Sequence, residues 1–204
     1  TVEHCPTLQG ELISYNKKAV LSVKGVKEVM RVERNVYGKK NTGIAVIAEN
    51  YHAALEGRKK LEAKWDNESF KHVNTEQMFK EMRELAQEEG LEHVEKGDFK
   101  TEMARSDIEL LNATYEMPYL AHSCMEPMNA TVHVKEDNTV EVWASNQSPQ
   151  VQRQFARALN IPENEAEEKI KVHMPFMGGG FGRRSMNDSL EECFQISKAL
   201  RKPI

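Results

Sequence analysis

Four glycines within five positions place the strongest constraint on the fold of this chain. They occupy positions 178–180 and 182 in the stretch MPFMGGGFGRR, residues 174–184. Consecutive glycines adopt positive φ without a steric penalty, so that several backbone N–H groups can converge on one ligand. Because ordering glycine costs more backbone entropy than ordering any other residue, a simple tight turn is the less favoured interpretation. The stretch predicts a loop that binds an oxyanion or a metal-oxo group.

The spacing of these glycines does not match either of the two common phosphate-binding loops. A dinucleotide fingerprint that begins at Gly178 requires a glycine at position 183, where this chain has Arg183, and a P-loop requires a Gly-Lys pair. The flanking segments predict where the loop lies. Residues 169–174, KIKVHM, alternate apolar and polar side chains as a half-buried strand does, and residues 189–200, SLEECFQISKAL, have helical spacing. Asn187 or Asp188 is the expected N-cap of that helix.

The hydrophobic pattern along the rest of the chain predicts an α+β fold in three regions. Residues 1–67 combine the strands GELISYN, VKEVMRVER and GIAVIAE with the helices KKAVLSV and NYHAALEGRKKLEAKW. Residues 68–105 form a charged connector with one helix that stops at Gly90. Residues 106–204 begin with the strand-like IELLNATYEMPYLAH, followed by the hairpin ATVHVKEDNTVEVWAS, the helix PQVQRQFARALNI and the glycine loop.

Composition excludes several classes of function. The 204 residues carry a net charge of −4 with a pI near 6.0, which argues against a nucleic-acid partner. No stretch reaches the apolar length of a membrane span. The three cysteines are widely spaced and form neither a disulfide framework nor a CxxC motif. HExxH and GxSxG motifs are also absent, so zinc or serine hydrolysis has no support.

A second candidate site is the segment HSCMEPMNA, residues 122–130, whose side chains include several soft metal ligands. On a strand, His122, Cys124 and Glu126 would share one face, whereas the two methionines would not join a single ligand set. We therefore favour a packed strand over a metal site here and predict no direct metal ligand in the chain.

Three stretches together resemble the large, molybdenum-binding subunit of the xanthine dehydrogenase and aldehyde oxidase family. They are YEMPYLAHSCMEPMNATV, VEVWASNQSPQ and MPFMGGGFGRR, in this order and at these separations. The Arg-Arg pair after Gly-Gly-Gly-Phe-Gly is similar to the isoquinoline 1-oxidoreductase beta subunit branch of bacterial molybdenum hydroxylases. NKKAVLSVKGVKEVMRV and GIAVIAENYHAALEGRKKLEAKWD resemble the hammerhead domain of these proteins. The resemblance implies a hammerhead-like α/β domain followed by the first part of a molybdopterin-binding domain.

The resemblance also assigns roles to residues of the glycine loop. It implies that Gly179, Gly180 and Gly182 let the backbone approach the molybdenum centre and the dithiolene of the pterin, with Phe181 close to the metal. It further implies that Gln147 hydrogen-bonds an oxo ligand of molybdenum. These are therefore the expected cofactor-binding residues.

The arginine pair is where the chain departs from the family pattern. Many relatives continue the glycine motif with Gly-Lys-Glu, where this chain has Arg183, Arg184 and Ser185, so the motif does not indicate a substrate. A guanidinium pair beside an anionic cofactor predicts that Arg183 and Arg184 neutralise the phosphate of the pterin. The catalytic glutamate of the family, its general base, belongs to a C-terminal half that lies outside this chain. No residue here is predicted as the base.

The expected function is therefore part of the catalytic subunit of a molybdenum hydroxylase, which oxidatively hydroxylates an aldehyde or an N-heterocycle with oxygen from water. The resemblance implies molybdenum-molybdopterin as cofactor, with a cytosine dinucleotide form as one option. It implies the rest of the large subunit and a separate 2Fe-2S subunit as partners, in a bacterial periplasm or cytoplasm. We expect the chain alone to be inactive and to lack the cofactor. The alternative function is a non-redox module that binds a phosphate or a nucleotide through the glycine loop.

Overall fold

The computed structural model describes residues 1–70 and 72–204. The described residues form two compact units, of which the first combines residues 1–70 with 122–204 and the second covers 72–121. The predicted mixture of helices and strands is confirmed. The predicted domain boundaries after residues 67 and 105 stay predictions, because the two units are defined by contacts between residues and not by domain family.

The first unit holds the strands and most of the helices of the described chain. Its strands are β1 (Val2–His4), β2 (Glu11–Ser14), β3 (Val26–Val36), β4 (Lys39–Ala48), β5 (Lys64–Asp66), β6 (Thr131–Val134), β7 (Val140–Trp143) and β8 (Ile170–His173). Its helices are α1 (Lys17–Leu21), α2 (Tyr51–Arg58), α5 (Val151–Leu159), α6 (Ala166–Lys169) and α7 (Asp188–Leu200).

The strands of the first 70 residues form a three-stranded antiparallel sheet and a two-stranded ribbon. The sheet has the order β1-β4-β3, and the ribbon pairs β2 with β5. Alternating apolar residues of β3 and β4 pack with Val20 of α1 and with Leu61. Burial of these side chains is the main stabilising contribution in this part of the unit.

A second three-stranded sheet, with the order β6-β7-β8, lies in the C-terminal part of the unit. β6 and β7 form the predicted antiparallel hairpin, and β8 runs parallel to β7 after the connection through α5 and α6. Phe155 of α5 and Phe194 of α7 stack with ring centroids 4.3 Å apart within the core of this sheet. The parallel pairing matters for function, because parallel strands end at the same edge of a sheet.

Helix α7 packs against both three-stranded sheets. Leu190 and Phe194 join the core of the β6-β7-β8 sheet, while Ile196 joins Val32 and Ala45 of the first sheet. The hydroxyl of Ser197 accepts a hydrogen bond from the Val134 backbone N–H. Because α7 directly follows the glycine loop, the position of the loop is set by both sheets.

Several predicted elements differ from the observed ones. The predicted helix from Asn50 to Trp65 ends at Arg58, and Trp65 lies in β5. Glu62 has a positive φ, so an α-helix cannot extend through it to Trp65. The strand predicted within residues 108–122 is wrong as well, and so is the strand predicted over 122–130, because both segments are irregular. Prolines at positions 118 and 127 interrupt these segments and remove backbone donors from them.

The described residues of the second unit contain two helices, α3 (Thr75–Leu85) and α4 (Phe99–Met103). The predicted connector helix therefore ends at Leu85, before the predicted stop at Gly90. No residue described between 72 and 121 is buried, and only Met78 and Phe79 are half-buried. None of the helices described in either unit combines the length and hydrophobicity needed to span a bilayer.

Candidate functional site

The glycine loop connects β8 to α7, as the sequence predicts, and covers residues 174–187. The parallel strands β7 and β8 end side by side at Trp143 and His173, whose rings stack with centroids 4.9 Å apart. The chain that leaves β7 and the loop that leaves β8 therefore start from the same sheet edge. This common start brings Gln147 close to the glycines.

Two glycines of the loop are required by backbone conformation. Gly179 has φ of +100° and Gly182 has φ of +89°, values that residues with a Cβ rarely adopt. Phe181 between them also has a positive φ, of 50°, and its ring is 69% exposed. The backbone turns so that this aromatic ring is held on the surface of the loop.

The other two glycines are required by space. A Cβ at Gly178 would lie 2.5 Å from the Cβ of Glu126, and a Cβ at Gly180 would lie 2.6 Å from Oε1 of Gln147. Both distances are well below normal van der Waals contact. Gly178 and Gly180 thus leave space for Glu126 and Gln147, and the predicted approach of the backbone to the molybdenum centre stays a prediction.

Gln147 is attached to the loop at two points. Its backbone N–H donates to the Arg184 carbonyl at 2.9 Å, and its Oε1 accepts from the Gly182 N–H at 3.2 Å. The residue is exposed, and its amide NH₂ group has no acceptor among the described residues. The structure therefore brings Gln147 and the glycine loop together, and the side chain keeps two donors for a bound group.

Three successive backbone N–H groups of the loop lack an acceptor within the described chain. They belong to Gly179, Gly180 and Phe181, whereas the N–H groups of Gly178 and Gly182 donate to side chains. Backbone N–H groups that are unpaired and close together form a concave site for an anion. The three donors are therefore available to a ligand, and their binding of an oxyanion or a metal-oxo group stays a prediction.

The guanidinium of Arg183 is occupied by a carboxylate of the protein. Its Nη1 and Nη2 donate to the two carboxylate oxygens of Asp188 at 2.9 and 2.8 Å, and Arg34 of β3 donates to the same carboxylate at 2.9 Å. The hydrogen bonds to Asp188 raise the pKa of Arg183 above its ordinary value. Its predicted contact with pterin phosphate stays a prediction, and the described contacts are with the first turn of α7.

Arg184 is the largest of the fully buried side chains described, with 1% of its surface exposed. Its Nε donates to the Gly179 carbonyl at 2.9 Å, Nη1 to the Ser145 carbonyl at 3.2 Å and Nη2 to the Glu126 carbonyl at 3.0 Å. The Glu126 carboxylate lies 3.1 Å from the same Nη2. The positive charge that the sequence predicts beside the glycines is thus directed into the protein at this position.

The segment around residues 122–130 forms a wall beside the loop. Cys124 Sγ donates to the Gly180 carbonyl at 3.4 Å, and the Glu126 carboxylate accepts the Gly178 N–H at 2.8 Å. His122 lies next to Gly182. The described residues contain no group of three or more His, Cys, Asp or Glu side chains that could hold a metal. Glu126 is a site residue that the sequence reasoning considered only as a metal ligand, although its segment carries part of the family resemblance.

Glu126 is ionised at neutral pH. The hydrogen bond from Asn129, the Gly178 N–H and the charge of Arg184 all lower the pKa of its carboxyl below the ordinary value. Its carboxylate therefore accepts hydrogen bonds and offsets the Arg184 charge. An ionised acceptor of this kind forms stronger hydrogen bonds with the loop than a neutral one would.

Comparison with known proteins identifies the family. Residues 79–204 match the molybdopterin cofactor-binding domain. The chain is 27% identical over 172 residues to isoquinoline 1-oxidoreductase subunit beta of Brevundimonas diminuta, a match covering 79% of the chain and 21% of that protein. It is 33% identical over 111 residues to indole-3-acetaldehyde oxidase of Arabidopsis thaliana. That match covers 53% of the chain and 8% of that protein. Quinoline 2-oxidoreductase from Pseudomonas putida 86 has a similar fold, with a TM-score of 0.65 at 17% identity over the whole chain and 30% of that structure.

The chain belongs to the molybdopterin cofactor-binding family of the xanthine dehydrogenase and aldehyde oxidase type. The resemblance based on three sequence stretches is therefore confirmed, including the similarity to the isoquinoline 1-oxidoreductase beta subunit. The chain spans about a fifth of the length of that relative.

Proposed function

We propose that this chain provides one side of the cofactor site in the catalytic subunit of a molybdenum hydroxylase. The substrate class is an aldehyde or an N-heterocycle, and the oxygen introduced into it comes from water. The proposal is supported by family membership and by one structural observation. That observation is the row of three unpaired N–H groups at Gly179, Gly180 and Phe181, next to the exposed amide of Gln147.

The residues of this site fit a molybdenum-molybdopterin group. Both the dithiolene and the phosphate of such a cofactor are anionic, and unpaired N–H donors stabilise negative charge without the mobility of a long side chain. Bound there, the cofactor would supply the redox chemistry. The loop residues would bind and orient it, and the exposed Phe181 would exclude water from one side of the site.

Gln147 would act as an orienting donor. Because its Oε1 already accepts from Gly182, the side chain is held with its NH₂ group available for the bound cofactor. A donor fixed in this way can stabilise charge that develops during the reaction without reorganising. No residue of this chain is assigned as the general base, which we place elsewhere in the catalytic subunit.

The wider assembly follows from the same proposal. Residues 1–67 would form a hammerhead-like domain, and residues 106–204 the beginning of the molybdopterin-binding domain. A separate 2Fe-2S subunit would carry electrons away from the cofactor. The cytosine dinucleotide form of the pterin and a periplasmic or cytoplasmic location belong to the proposal as well.

The alternative function, a non-redox module that binds a phosphate or a nucleotide, has less support. The glycine loop would serve such a module equally well, because unpaired N–H groups bind any compact anion. Membership of the molybdopterin cofactor-binding family weighs against it.

The first prediction tests the function in the native protein in which the chain occurs. We expect molybdenum and pterin in equal amounts with the polypeptide, and oxidation of aldehydes or N-heterocycles with an artificial electron acceptor in ¹⁸O-labelled water. The product should carry the label. Gln147→Ala should retain most of the molybdenum but lower kcat by roughly 10²–10³-fold, the usual cost of losing a preorganised donor.

Two outcomes would contradict this prediction. Native protein that contains neither molybdenum nor pterin would remove the proposed function, and phosphate or nucleotide binding in such protein would support the alternative. An unchanged kcat in Gln147→Ala would remove Gln147 from the site but not the loop. The control is Gln87→Ala, because Gln87 is exposed in the second unit.

A further inference from the structure

The Arg184 guanidinium is bonded to groups of the protein itself. Three carbonyl groups and one carboxylate surround its guanidinium, and only 1% of its surface is exposed. Burying a charge is costly unless it is paired and hydrogen-bonded, and Glu126 provides the pairing here. A phosphate could reach this guanidinium only if those contacts opened. Arg184 is therefore unsuited to bind the anion directly.

The contacts of Arg184 join three segments of the chain. Its side chain holds the Gly179 carbonyl of the loop, the Ser145 carbonyl after β7 and the Glu126 carbonyl of the segment beside the loop. Its own carbonyl accepts the N–H of Gln147. One residue thus fixes both the loop and the chain that carries Gln147. A planar guanidinium suits this task, because its N–H groups point in fixed directions.

Glu126 completes the arrangement from the other side. Its backbone N–H donates to the Gly178 carbonyl at 3.2 Å, and its carboxylate accepts the Gly178 N–H at 2.8 Å. Asn129 donates to the second carboxylate oxygen at 3.0 Å and so orients the group. Gly178 is therefore held at both its N–H and its carbonyl. The missing Cβ at this position permits the approach, because an added Cβ would collide with Glu126.

We propose that Arg184 and Glu126 form a positioning pair that sets the conformation of the glycine loop. Both polar groups of Gly178 and the carbonyl of Gly179 are turned toward this pair, so that the next three N–H groups remain available to a ligand. Neither residue touches the ligand. This inference rests on the proposed function of the loop as one side of a molybdenum-molybdopterin site.

The test measures hydrogen–deuterium exchange in the native protein and in two variants, Arg184→Lys and Glu126→Gln. Arg184→Lys keeps the charge but cannot reach three carbonyls in fixed directions, and Glu126→Gln keeps the size of a side chain that is 29% exposed. We expect exchange at the Gly178 and Gln147 amides to become roughly tenfold faster or more. The Gly178 N–H bonds the Glu126 carboxylate, and the Gln147 N–H bonds the backbone carbonyl of Arg184, so both hydrogen bonds depend on the positioning pair. Molybdenum per polypeptide should fall in both variants.

The control variant is Arg153→Lys, whose ion pair with Glu163 is exposed. It should leave exchange of the loop and molybdenum content unchanged, and peptides from β6 and β7 should exchange alike in all proteins. If Arg184→Lys does not fold, exchange at Gly178 in Glu126→Gln, whose side chain has the same size as that of glutamate, decides the test.

Three results would overturn the positioning pair. The first is unchanged exchange at Gly178 in folded Glu126→Gln, and the second is equally fast exchange in the control variant. The third is protection of the Gly178 amide that appears only on addition of inorganic phosphate, since the hydrogen bond between Gly178 and Glu126 would then depend on an anion. Wild-type protein without molybdenum would instead contradict the proposed function alone, because loop exchange is measured without reference to the cofactor.

Discussion

At the scale of single residues, each glycine of the loop has a separate physical reason. Gly179 and Gly182 provide backbone conformations that a Cβ makes unfavourable, whereas Gly178 and Gly180 provide space for neighbouring side chains. The two arginines beside them also differ. Arg183 binds Asp188 at the start of α7, and Arg184 binds carbonyl groups of the loop and its surroundings. Neighbouring residues of the same type in this loop therefore have different structural roles.

Replacing Gly180 tests the requirement for space. In Gly180→Val, the new Cβ would lie within 2.8 Å of the ends of the Gln147 and Met177 side chains. Both ends are flexible, so we expect the fold to persist while Gln147 is pushed from its position. Molybdenum in the native protein should fall roughly tenfold, the scale on which lost supporting contacts weaken a metal site. The loss should exceed that in Gln147→Ala, because the branches of valine also occupy space beside the loop N–H groups, which Gln147→Ala leaves free.

The matched control is Gly90→Val, because a Cβ at Gly90 meets nothing within 4 Å. Molybdenum is measured by mass spectrometry, and folding by circular dichroism. A folded Gly180→Val protein with wild-type molybdenum content would show that the site does not depend on this approach.

At the scale of elements, the start of α7 couples the glycine loop to the first sheet. Asp188, 2% exposed, receives hydrogen bonds from Arg183 of the loop and from Arg34 of β3. The predicted cap at Asn187 or Asp188 is only partly confirmed. Asn187 occupies the N-cap position but makes no capping hydrogen bond with its side chain, and Asp188 is the first helical residue. A carboxylate in the first turn still stabilises the helix through its dipole.

Removing this carboxylate should destabilise the whole first unit. In Asp188→Ala, Arg34 and Arg183 lose a shared partner while only about a fifth of each side chain is exposed. We expect the free energy of unfolding to fall by about 3 kcal/mol, the lower part of the range for breaking a buried ion pair. Urea unfolding measures this change. Glu163→Ala, which breaks an exposed pair with Arg153, should cost less than about 1 kcal/mol, and an equal loss in both variants would contradict the prediction.

At the scale of the whole molecule, the two units differ in how their residues are buried. The first unit has hydrophobic cores on both sheets, whereas the described residues of the second unit include no buried side chain. Regions with few buried contacts open at low free energy. Residues 68–105 are rich in charged side chains, and those described between 72 and 105 include no buried one. We therefore expect this region to open more readily than the first unit.

Limited proteolysis should report this difference directly. A glutamate-specific protease should cut the chain first between residues 86 and 98, where the backbone is irregular and exposed between α3 and α4. Cleavage should not begin at Glu126, whose backbone and side chain are bonded to the loop. Mass spectrometry of the early fragments identifies the site. A first cut at Glu126 or within α7 would show that the loop region opens more readily than the second unit.

The sequence alone determined where most elements lie and that a glycine loop connects β8 to α7. Alternating apolar residues fixed β8 and the β6-β7 hairpin, and consecutive glycines fixed a loop with available N–H groups, because these features depend on local geometry. Only the tertiary structure decided which partners the loop has. Residues distant in sequence, Glu126 and Gln147, come to the glycines through the parallel pairing of β7 with β8 and the packing of the irregular segment before β6. The orientation of the Arg184 side chain depends on carbonyl groups from three segments. These segments are distant in sequence, so no local sequence pattern predicts that they lie close together.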